Sequence, residues 1–158
     1  MTTIAYVNGE LAADGRMTGN GSIFSERFQK IGDKGGFLFG AAGDAVGVTA
    51  FLSWCSMMFD PGTDEADKCE CPAADFDGII VAPDGSYSIF NAGQLVTRDV
   101  PTTQPAALGS GGPAALGALH TGCTAEQAVR AALKVDVFSG GKVDVVKISR
   151  LSVKKRSK

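Results

Sequence analysis

Short segments of strand type, separated by glycine, fill the first third of the chain and constrain its fold most. Residues 2–7 carry β-branched and aromatic side chains, Asn8-Gly9 is a dipeptide typical of tight hairpin turns, and residues 10–13 complete the hairpin. A glycine-rich loop is expected next, over residues 15–21. Because a tight turn joins strands that run in opposite directions, this pattern predicts antiparallel sheet.

Two further hairpins are predicted along the chain. Residues 28–31 and 36–42 are rich in apolar residues and are joined by a turn at residues 32–35. Residues 76–81 and 86–90 carry the same signal, with a Pro-Asp-Gly turn between them. The chain therefore supplies enough neighbouring strands for more than one antiparallel pairing.

Helical spacing occurs in three places. Apolar residues recur every three or four positions over residues 44–58, and the carboxylate of Asp44 is expected to cap this helix. Residues 114–120 are small and apolar enough for a packed helix, and residues 124–135 begin with the capping box Thr-Ala-Glu-Gln. Since strands are grouped with strands and helices with helices, we expect an α+β fold in which helices cover antiparallel sheets.

The remaining segments are polar connections and short strands. Residues 60–75 are acidic, contain two prolines and have no period, so a loop is predicted, and residues 97–105 predict a polar connection. Short strands are expected at residues 106–108 and 143–148.

Length and charge limit the classes of function. Of 158 residues 44% are hydrophobic, so residues 1–150 are expected to form a single domain, followed by a basic, disordered tail at residues 151–158. A net charge of −2 without a basic face gives no reason to expect a nucleic-acid partner. No apolar run approaches the roughly 20 residues of a membrane span, and the N-terminus lacks the layout of a secretory signal. We therefore expect a cytoplasmic protein with no membrane partner.

The cysteines do not form a convincing metal site. Cys69-Glu70-Cys71 could supply half of a zinc site, but His120 is the single histidine of the chain. Because structural zinc takes four ligands at recognisable spacing, no metal is expected. In a cytoplasmic protein the four cysteines are expected to stay reduced.

Thr2 is the candidate nucleophile. Removal of Met1 is usual when the next residue is small, and it leaves a chain that begins with a free threonine. The α-amino group has an ordinary pKa of about 7.7–8.0 and lies within reach of the hydroxyl of the same residue. One residue then supplies both the nucleophile and the base that activates it. For Thr2 taken alone, an ordinary N-terminal strand is the alternative.

Several short motifs accompany this threonine in a fixed order. They are Thr2-Thr3-Ile4-Ala5-Tyr6-Val7, Ala13-Asp14-Gly15, Lys30-Ile31, Gly40-Ala41-Ala42-Gly43, Leu108-Gly109-Ser110-Gly111-Gly112-Pro113 and Asp136-Val137-Phe138-Ser139-Gly140-Gly141. In these motifs the chain resembles the proteasome β-subunit family of N-terminal nucleophile (Ntn) hydrolases, and the bacterial HslV-type threonine peptidases in particular. The resemblance covers residues 2–58 and 76–148.

The resemblance implies a four-layer α/β/β/α sandwich of two antiparallel sheets. One outer helical layer is expected to be shortened, because the family carries two long helices where this chain predicts only the helix at residues 44–58. The implied function is that of a threonine-type endopeptidase, which hydrolyses peptide bonds through an acyl-enzyme on Thr2 and needs no cofactor.

The resemblance also implies a set of catalytic residues. Lys30 would place a cation beside the Thr2 hydroxyl, and Asp14 would hold Lys30, because a buried ammonium group without a partner is costly. The full expected set is Thr2, Asp14, Lys30, Gly43, Ser110, Asp136 and Ser139, with the N–H of Gly43 facing the oxyanion and the last three residues around the threonine amine. Each residue alone has a plainer alternative: a surface lysine, an Asp-Gly turn, or, for residues 109–113, a turn or a phosphate cradle.

A pocket for the substrate side chain follows from the same resemblance. Its expected lining is Met17, Phe28, Gly32, Ala41, Ala45 and Thr49. None of these residues is charged and most are small or apolar, so cleavage after apolar residues is predicted.

The implied partners are an unfolded polypeptide substrate, other copies of the chain in a homo-oligomeric ring, and an ATP-dependent unfoldase that feeds it. Two alternatives stay open. One is a catalytically inactive proteasome-like subunit with a structural or assembly role, and the other is an Ntn amidase that acts on a small molecule.

Overall fold

Residues 2–149, the part of the chain that this computed structural model describes, form eleven strands and three helices. The tail predicted at residues 151–158 lies outside the described residues. The strands are β1 (Ile4–Val7), β2 (Glu10–Ala13), β3 (Met17–Gly19), β4 (Ser22–Ser25), β5 (Ile31–Lys34), β6 (Phe37–Gly43), β7 (Phe76–Val81), β8 (Tyr87–Asn91), β9 (Gln94–Val100), β10 (Ala106–Leu108) and β11 (Asp144–Lys147). The helices are α1 (Ala45–Met58), α2 (Gly112–His120) and α3 (Ala125–Leu133), with a short 3₁₀ turn at Glu65–Asp67.

The first sheet is built around the N-terminal hairpin, which confirms the prediction for residues 2–13. Its turn residues, Asn8 and Gly9, have φ angles of 50° and 82°, which this residue pair tolerates well. All pairings are antiparallel, and the strand order is β10-β1-β2-β11. The register opposes Ile4 to Ala13, and the pairing continues to Thr3, whose carbonyl accepts the N–H of Asp14.

The second sheet is a five-stranded antiparallel meander in the order β5-β6-β7-β8-β9. Both predicted hairpins are present in it, but the first turn lies later than expected. Gly35 and Gly36 make this turn with φ angles of 56° and 86°, so Asp33 and Lys34 are still strand residues.

Two segments predicted as loops are strands. Residues 97–100 belong to β9, an edge strand with exposed side chains, which therefore lacks the alternation of polar and apolar residues that marks a half-buried strand. Residues 15–21 contain β3 and the turn to β4, and these two strands form a small third sheet. Its turn is Asn20-Gly21, with φ angles of 49° and 75°. The sequence predicts two sheets, and the structure has this two-stranded sheet in addition.

The three predicted helices are present, but their first residues behave differently. Asp44 occupies the N-cap position of α1, yet its carboxylate accepts no capping hydrogen bond, which corrects the sequence prediction. The capping box of α3 is confirmed: the Thr124 hydroxyl accepts the N–H of Gln127 at 3.2 Å, and the Gln127 side chain accepts the N–H of Thr124 at 2.9 Å. A carboxylate oxygen of Glu10, on β2, accepts a further N–H of this helix, from Ala125 at 2.9 Å.

The two faces of the first sheet pack against different elements. Tyr6 and Leu11 point toward the second sheet, where they meet residues such as Leu38 and Ile79. On the opposite face, small residues such as Ala5 and Ala12 pack against α2 and α3. Large side chains thus lie between the sheets and small ones lie under the helices.

Helix α1 covers the other face of the second sheet. Phe51 is fully buried there, with its ring centroid 4.8 Å from that of Phe76. A Cβ at Gly78 of β7 would overlap the ring of Phe51, so this glycine lets the helix lie close to the sheet. The result is an α+β fold whose helices and antiparallel sheets are compatible with a sandwich. No helix within residues 2–149 is both long and apolar enough to cross a bilayer.

Phe51→Ala tests the packing of α1 on the second sheet. Removal of a fully buried ring leaves a cavity, so the free energy of unfolding should fall by about 3–5 kcal/mol, as measured by urea titration. Val46→Ala, on the same helix but exposed, is the matched control and should change it by less than about 0.5 kcal/mol. Equal effects of the two substitutions would contradict the burial assigned to Phe51.

Candidate active site

Thr2 lies just before β1 and is only 2% exposed. Its carbonyl oxygen accepts the N–H of Gly111 at 3.3 Å, which ties it to the start of α2. A Cβ at Gly109, where φ is +88°, would overlap the same carbonyl, so the glycine-rich segment can approach the threonine only because it lacks side chains. Within residues 2–149 the Thr2 side chain has no hydrogen-bond partner, and the residue lines two cavities.

Asp14 and Lys30 form a buried ion pair. The Lys30 ammonium donates to a carboxylate oxygen of Asp14 at 2.9 Å and to the carbonyl oxygen of Arg16 at 2.6 Å. Both side chains are almost inaccessible, at 2% for Lys30 and 0% for Asp14. Burial lowers the pKa of Lys30, and the charge and hydrogen bond of Asp14 oppose that shift. The attraction between the two charges thus offsets part of the cost of removing the Lys30 ammonium from water.

The Asp14 carboxylate also organises the backbone around it. It accepts the N–H of Thr3 at 2.9 Å and the N–H of Gly140 at 2.9 Å, with a longer bond from Arg16 at 3.3 Å. These donors come from the residue just before β1, from the segment after α3, and from the chain just beyond Asp14 itself. One buried carboxylate therefore joins three parts of the site, and its hydrogen bonds offset the cost of burying it.

A second polar network joins Ser110, Asp136 and Ser139. One carboxylate oxygen of Asp136 accepts from Ser110 at 2.7 Å and from Ser139 at 2.5 Å. The Ser139 hydroxyl lies 2.7 Å from that of Thr3, and Ser110 reaches the carbonyl of Thr2 at 3.5 Å. Partial burial alone would raise the pKa of Asp136, but the hydrogen bonds from Ser139, Ser110 and the N–H of Phe138 lower it.

Gly43 ends β6 beside Thr2. Its φ of +142° suits glycine, and a Cβ there would overlap the carbonyl oxygen of Asp75. The residue lines the same two cavities as Thr2. The seven predicted catalytic residues therefore gather around Thr2: Asp14, Lys30, Gly43, Ser110, Asp136 and Ser139 reach it directly, through a shared cavity or through the Thr3 network.

Some of the residues predicted to line a substrate pocket share a cavity, and others do not. A cavity of about 260 Å³ beside Thr2 is lined by Met17, Phe28 and Ala45, together with Lys30 and Gly43. Thr49 lines a wider, neighbouring cavity that shares Met17 and Phe28 with the first. Gly32 and Ala41 line neither of the two. Ala41 is buried under α1 instead.

Sequence reasoning missed several residues of the site. Arg16, Thr18, Asp44 and Val48 also line the cavity with Thr2, so it is less uniformly apolar than expected. Arg16 is fixed by an ion pair with Glu26 at 3.2 Å and by the carbonyl of Val137 at 3.4 Å. Its position two residues after Asp14 is the one local feature of the sequence that could have indicated that Arg16 lies at this site.

The chain is similar in fold to BPH from Thiobacillus denitrificans. The structure of that protein in complex with epoxomicin matches at a TM-score of 0.62 and 19% sequence identity. A second structure of BPH matches at a TM-score of 0.57 and 21% sequence identity. Each match covers 94% of this chain and 98% of the other. No protein-family model and no curated protein matches the chain. At this identity the likeness concerns the fold.

No group of three or more metal-ligating side chains converges within residues 2–149. Cys69 is exposed and Cys71 is partly buried, in the connection between α1 and β7.

Asp14→Asn tests the buried pair. The substitution keeps the side-chain volume but leaves the Lys30 ammonium without its carboxylate. It also replaces one carboxylate oxygen, which accepts N–H groups, by an NH₂ group, which cannot accept them. The free energy of unfolding should fall by about 3–5 kcal/mol in urea titration. Glu126→Gln, which breaks the exposed pair with Arg130, should cost less than about 0.5 kcal/mol. A nearly unchanged D14N variant would contradict the burial of the pair.

Asp136→Asn tests the second network through pH. Since hydrogen bonds lower the pKa of Asp136 below its ordinary value of 3.8, the unfolded chain binds this proton more readily than the folded protein does. The wild type should therefore be more stable than D136N near neutral pH, and the difference should shrink as the pH falls from about 5 to 2. The unfolding midpoints of both proteins across that range measure this difference in stability. A difference that grows as the pH falls would contradict the lowered pKa of Asp136.

Proposed function

We propose that this protein is a threonine-type endopeptidase of the Ntn class, whose nucleophile is Thr2 once residue 1 has been removed. The observation that carries the proposal is the position of Thr2. Its side chain, which is buried and has no hydrogen-bond partner within residues 2–149, shares a cavity with Lys30 and with Gly43. Nucleophile, cation and a backbone position able to supply an oxyanion donor are thus grouped in one cavity.

The proposed reaction has two halves. The Thr2 amine accepts the hydroxyl proton as the oxygen bonds to the scissile carbonyl carbon, and the same proton then goes to the leaving nitrogen as the carbon–nitrogen bond breaks. The product of this half is an ester on Thr2. Water attacks the ester in the second half, again with the amine as base, and the carboxylic acid product leaves with the hydroxyl restored.

Lys30 and Gly43 stabilise charge in this scheme. A cation near the hydroxyl favours its ionised form, and the pair with Asp14 keeps the cation in place. The N–H of Gly43 is proposed as the donor to the developing oxyanion, a contribution of about 3–4 kcal/mol in other hydrolases. The network of Ser110, Asp136 and Ser139 is proposed to orient the free amine.

The comparisons support this proposal at the level of the fold. The layering of helices outside two facing sheets is consistent with the proposed four-layer α/β/β/α sandwich, with α1 alone as the shortened outer layer. Since Thiobacillus denitrificans BPH is seen in complex with epoxomicin, we propose that the Thr2 cavity of this chain binds epoxomicin as well.

The natural substrate is proposed to be an unfolded polypeptide, cleaved after apolar residues because Met17, Phe28 and Val48 line the cavity. A homo-oligomeric ring in the cytoplasm, served by an ATP-dependent unfoldase, completes the proposal. Exposed apolar side chains on β4 and on the segment after α3, Ile23, Phe24, Val137 and Phe138, support assembly with other subunits.

Thr2→Ala tests the nucleophile. Intact-mass measurement first establishes that residue 1 is absent, and hydrolysis of peptides with an apolar, an acidic or a basic residue before the cleaved bond is then followed. The wild type should prefer the apolar peptide, and T2A should lose about 10³-fold or more in kcat/KM because the attacking oxygen is gone. Epoxomicin should inhibit the wild-type reaction.

The matched control is Thr97→Ala, an exposed threonine on β9, which should leave the rate unchanged. Equal rates for T2A and wild type would overturn the assignment of the nucleophile. An absence of hydrolysis by wild-type protein that has lost residue 1 would instead favour the alternative, a catalytically inactive subunit with a structural or assembly role.

A further inference from the structure

A second cavity, of about 460 Å³, also opens at Thr2. It shares Thr2, Gly43 and Asp44 with the first cavity, but its other walls are different. The first cavity continues to Met17 and Phe28, whereas this one continues to the start of β7 and the glycine-rich segment before α2. The two cavities therefore meet at the proposed nucleophile and extend away from it along different walls.

The Thr2 side chain is the feature of this cavity that indicates ligand binding. It is 98% buried, since only 2% of the residue is exposed, and it has no hydrogen-bond partner within residues 2–149. The other hydroxyl of this wall, that of Ser110, already donates to Asp136 at 2.7 Å. Since no fully enclosed side-chain polar atom within residues 2–149 lacks a hydrogen-bond partner, the unpartnered hydroxyl of Thr2 must reach into these cavities, where a group from outside the chain can complete its contacts.

The charge of the second cavity is strongly one-sided. Asp44, Asp75 and Asp77 line it, and no lysine, arginine or histidine among residues 2–149 does. None of the ion pairs within residues 2–149 involves these three carboxylates. Asp77 accepts a hydrogen bond from Asn91 at 2.5 Å, which fixes its position without neutralising it. The first cavity, in contrast, contains two cations, of Arg16 and Lys30.

A peptide that acylates Thr2 must leave the enzyme in two parts. Its carbonyl carbon lies at Thr2 and Gly43, so the chain before the cleaved bond and the chain after it point away in different directions. We propose that the part after the cleaved bond occupies this second cavity, and that Asp44, Asp75 and Asp77 select a lysine or arginine as its first residue. The inference rests on the proposed function and adds a substrate class to it.

The expected size of the preference is modest. Asp44 and Asp75 are exposed, and exposed pairs of opposite charge are weak because water screens them. Three carboxylates around one cation should therefore favour a peptide with lysine after the bond over one with glutamate by about five- to thirtyfold in kcat/KM. Added salt should reduce the ratio, because screening falls mainly on exposed charges.

The test uses three internally quenched peptides that share an apolar residue before the cleaved bond and carry lysine, alanine or glutamate after it. The wild-type protein, with residue 1 absent, should cleave them in the order lysine, alanine, glutamate. The Asp75→Asn/Asp77→Asn variant should bring the ratio of lysine to glutamate peptide close to one. Asp64→Asn/Asp67→Asn removes the same two charges from the exposed connection between α1 and β7, and it should keep the wild-type ratio.

The outcomes separate the two proposals. Equal cleavage of the three peptides by the wild type overturns the assignment of the cavity, and this result needs no variant to fold. A ratio that persists in D75N/D77N, or that is lost equally in D64N/D67N, overturns it as well. No cleavage of any peptide overturns the peptidase proposal together with this one, whereas a lysine preference that salt and D75N/D77N both reduce supports the assignment.

Discussion

The buried pair of Asp14 and Lys30 is the interaction on which the rest of the site depends. Neither charge could remain in the interior alone, because desolvation would disfavour it strongly. Asp14 is stabilised there by N–H groups of Thr3, just before the first strand, and of the segment after α3, and Lys30 by a carbonyl as well as the carboxylate. The pair therefore holds in one place the hairpin that begins at Thr2, the strand β5 and the loop that carries Ser139.

Much of the fold could be predicted because its signals are local. Asn8-Gly9 encodes a hairpin, and Thr124 with Gln127 encodes the start of a helix, whatever the rest of the chain does. The strands that prediction missed, β3, β4 and β9, have no buried face, so their sequences lack the alternation that burial imposes. Asp44 shows the converse: its residue type and position are those of a cap, but its carboxylate lies at the mouth of two cavities.

The candidate site was predictable as a set of motifs, but not as an arrangement. The sequence shows that Asp14, Lys30 and Ser110 exist, whereas their distances depend on contacts between residues that are far apart in the chain. Thr3 illustrates the limit. Its hydroxyl lies 2.7 Å from that of Ser139, a contact across 136 positions that no local pattern could indicate. Arg16 is similar, because its side chain is held by Glu26 and Val137 from two other segments.

The division of residue sizes on the first hairpin has a consequence for how reliably the chain folds. Tyr6 and Leu11 fill one face of the hairpin, while Ala5 and Ala12 lie under the helices on the other. A slip of one position between β1 and its partners would turn every side chain to the opposite face. The bulky residues would then collide with α2 and α3, and methyl groups would be left to fill the space between the sheets. A chain in the wrong register would therefore have both steric clashes and a poorly filled core. The pattern of side-chain sizes that fixes the register of the hairpin thus also fixes the position of Thr2, which precedes it.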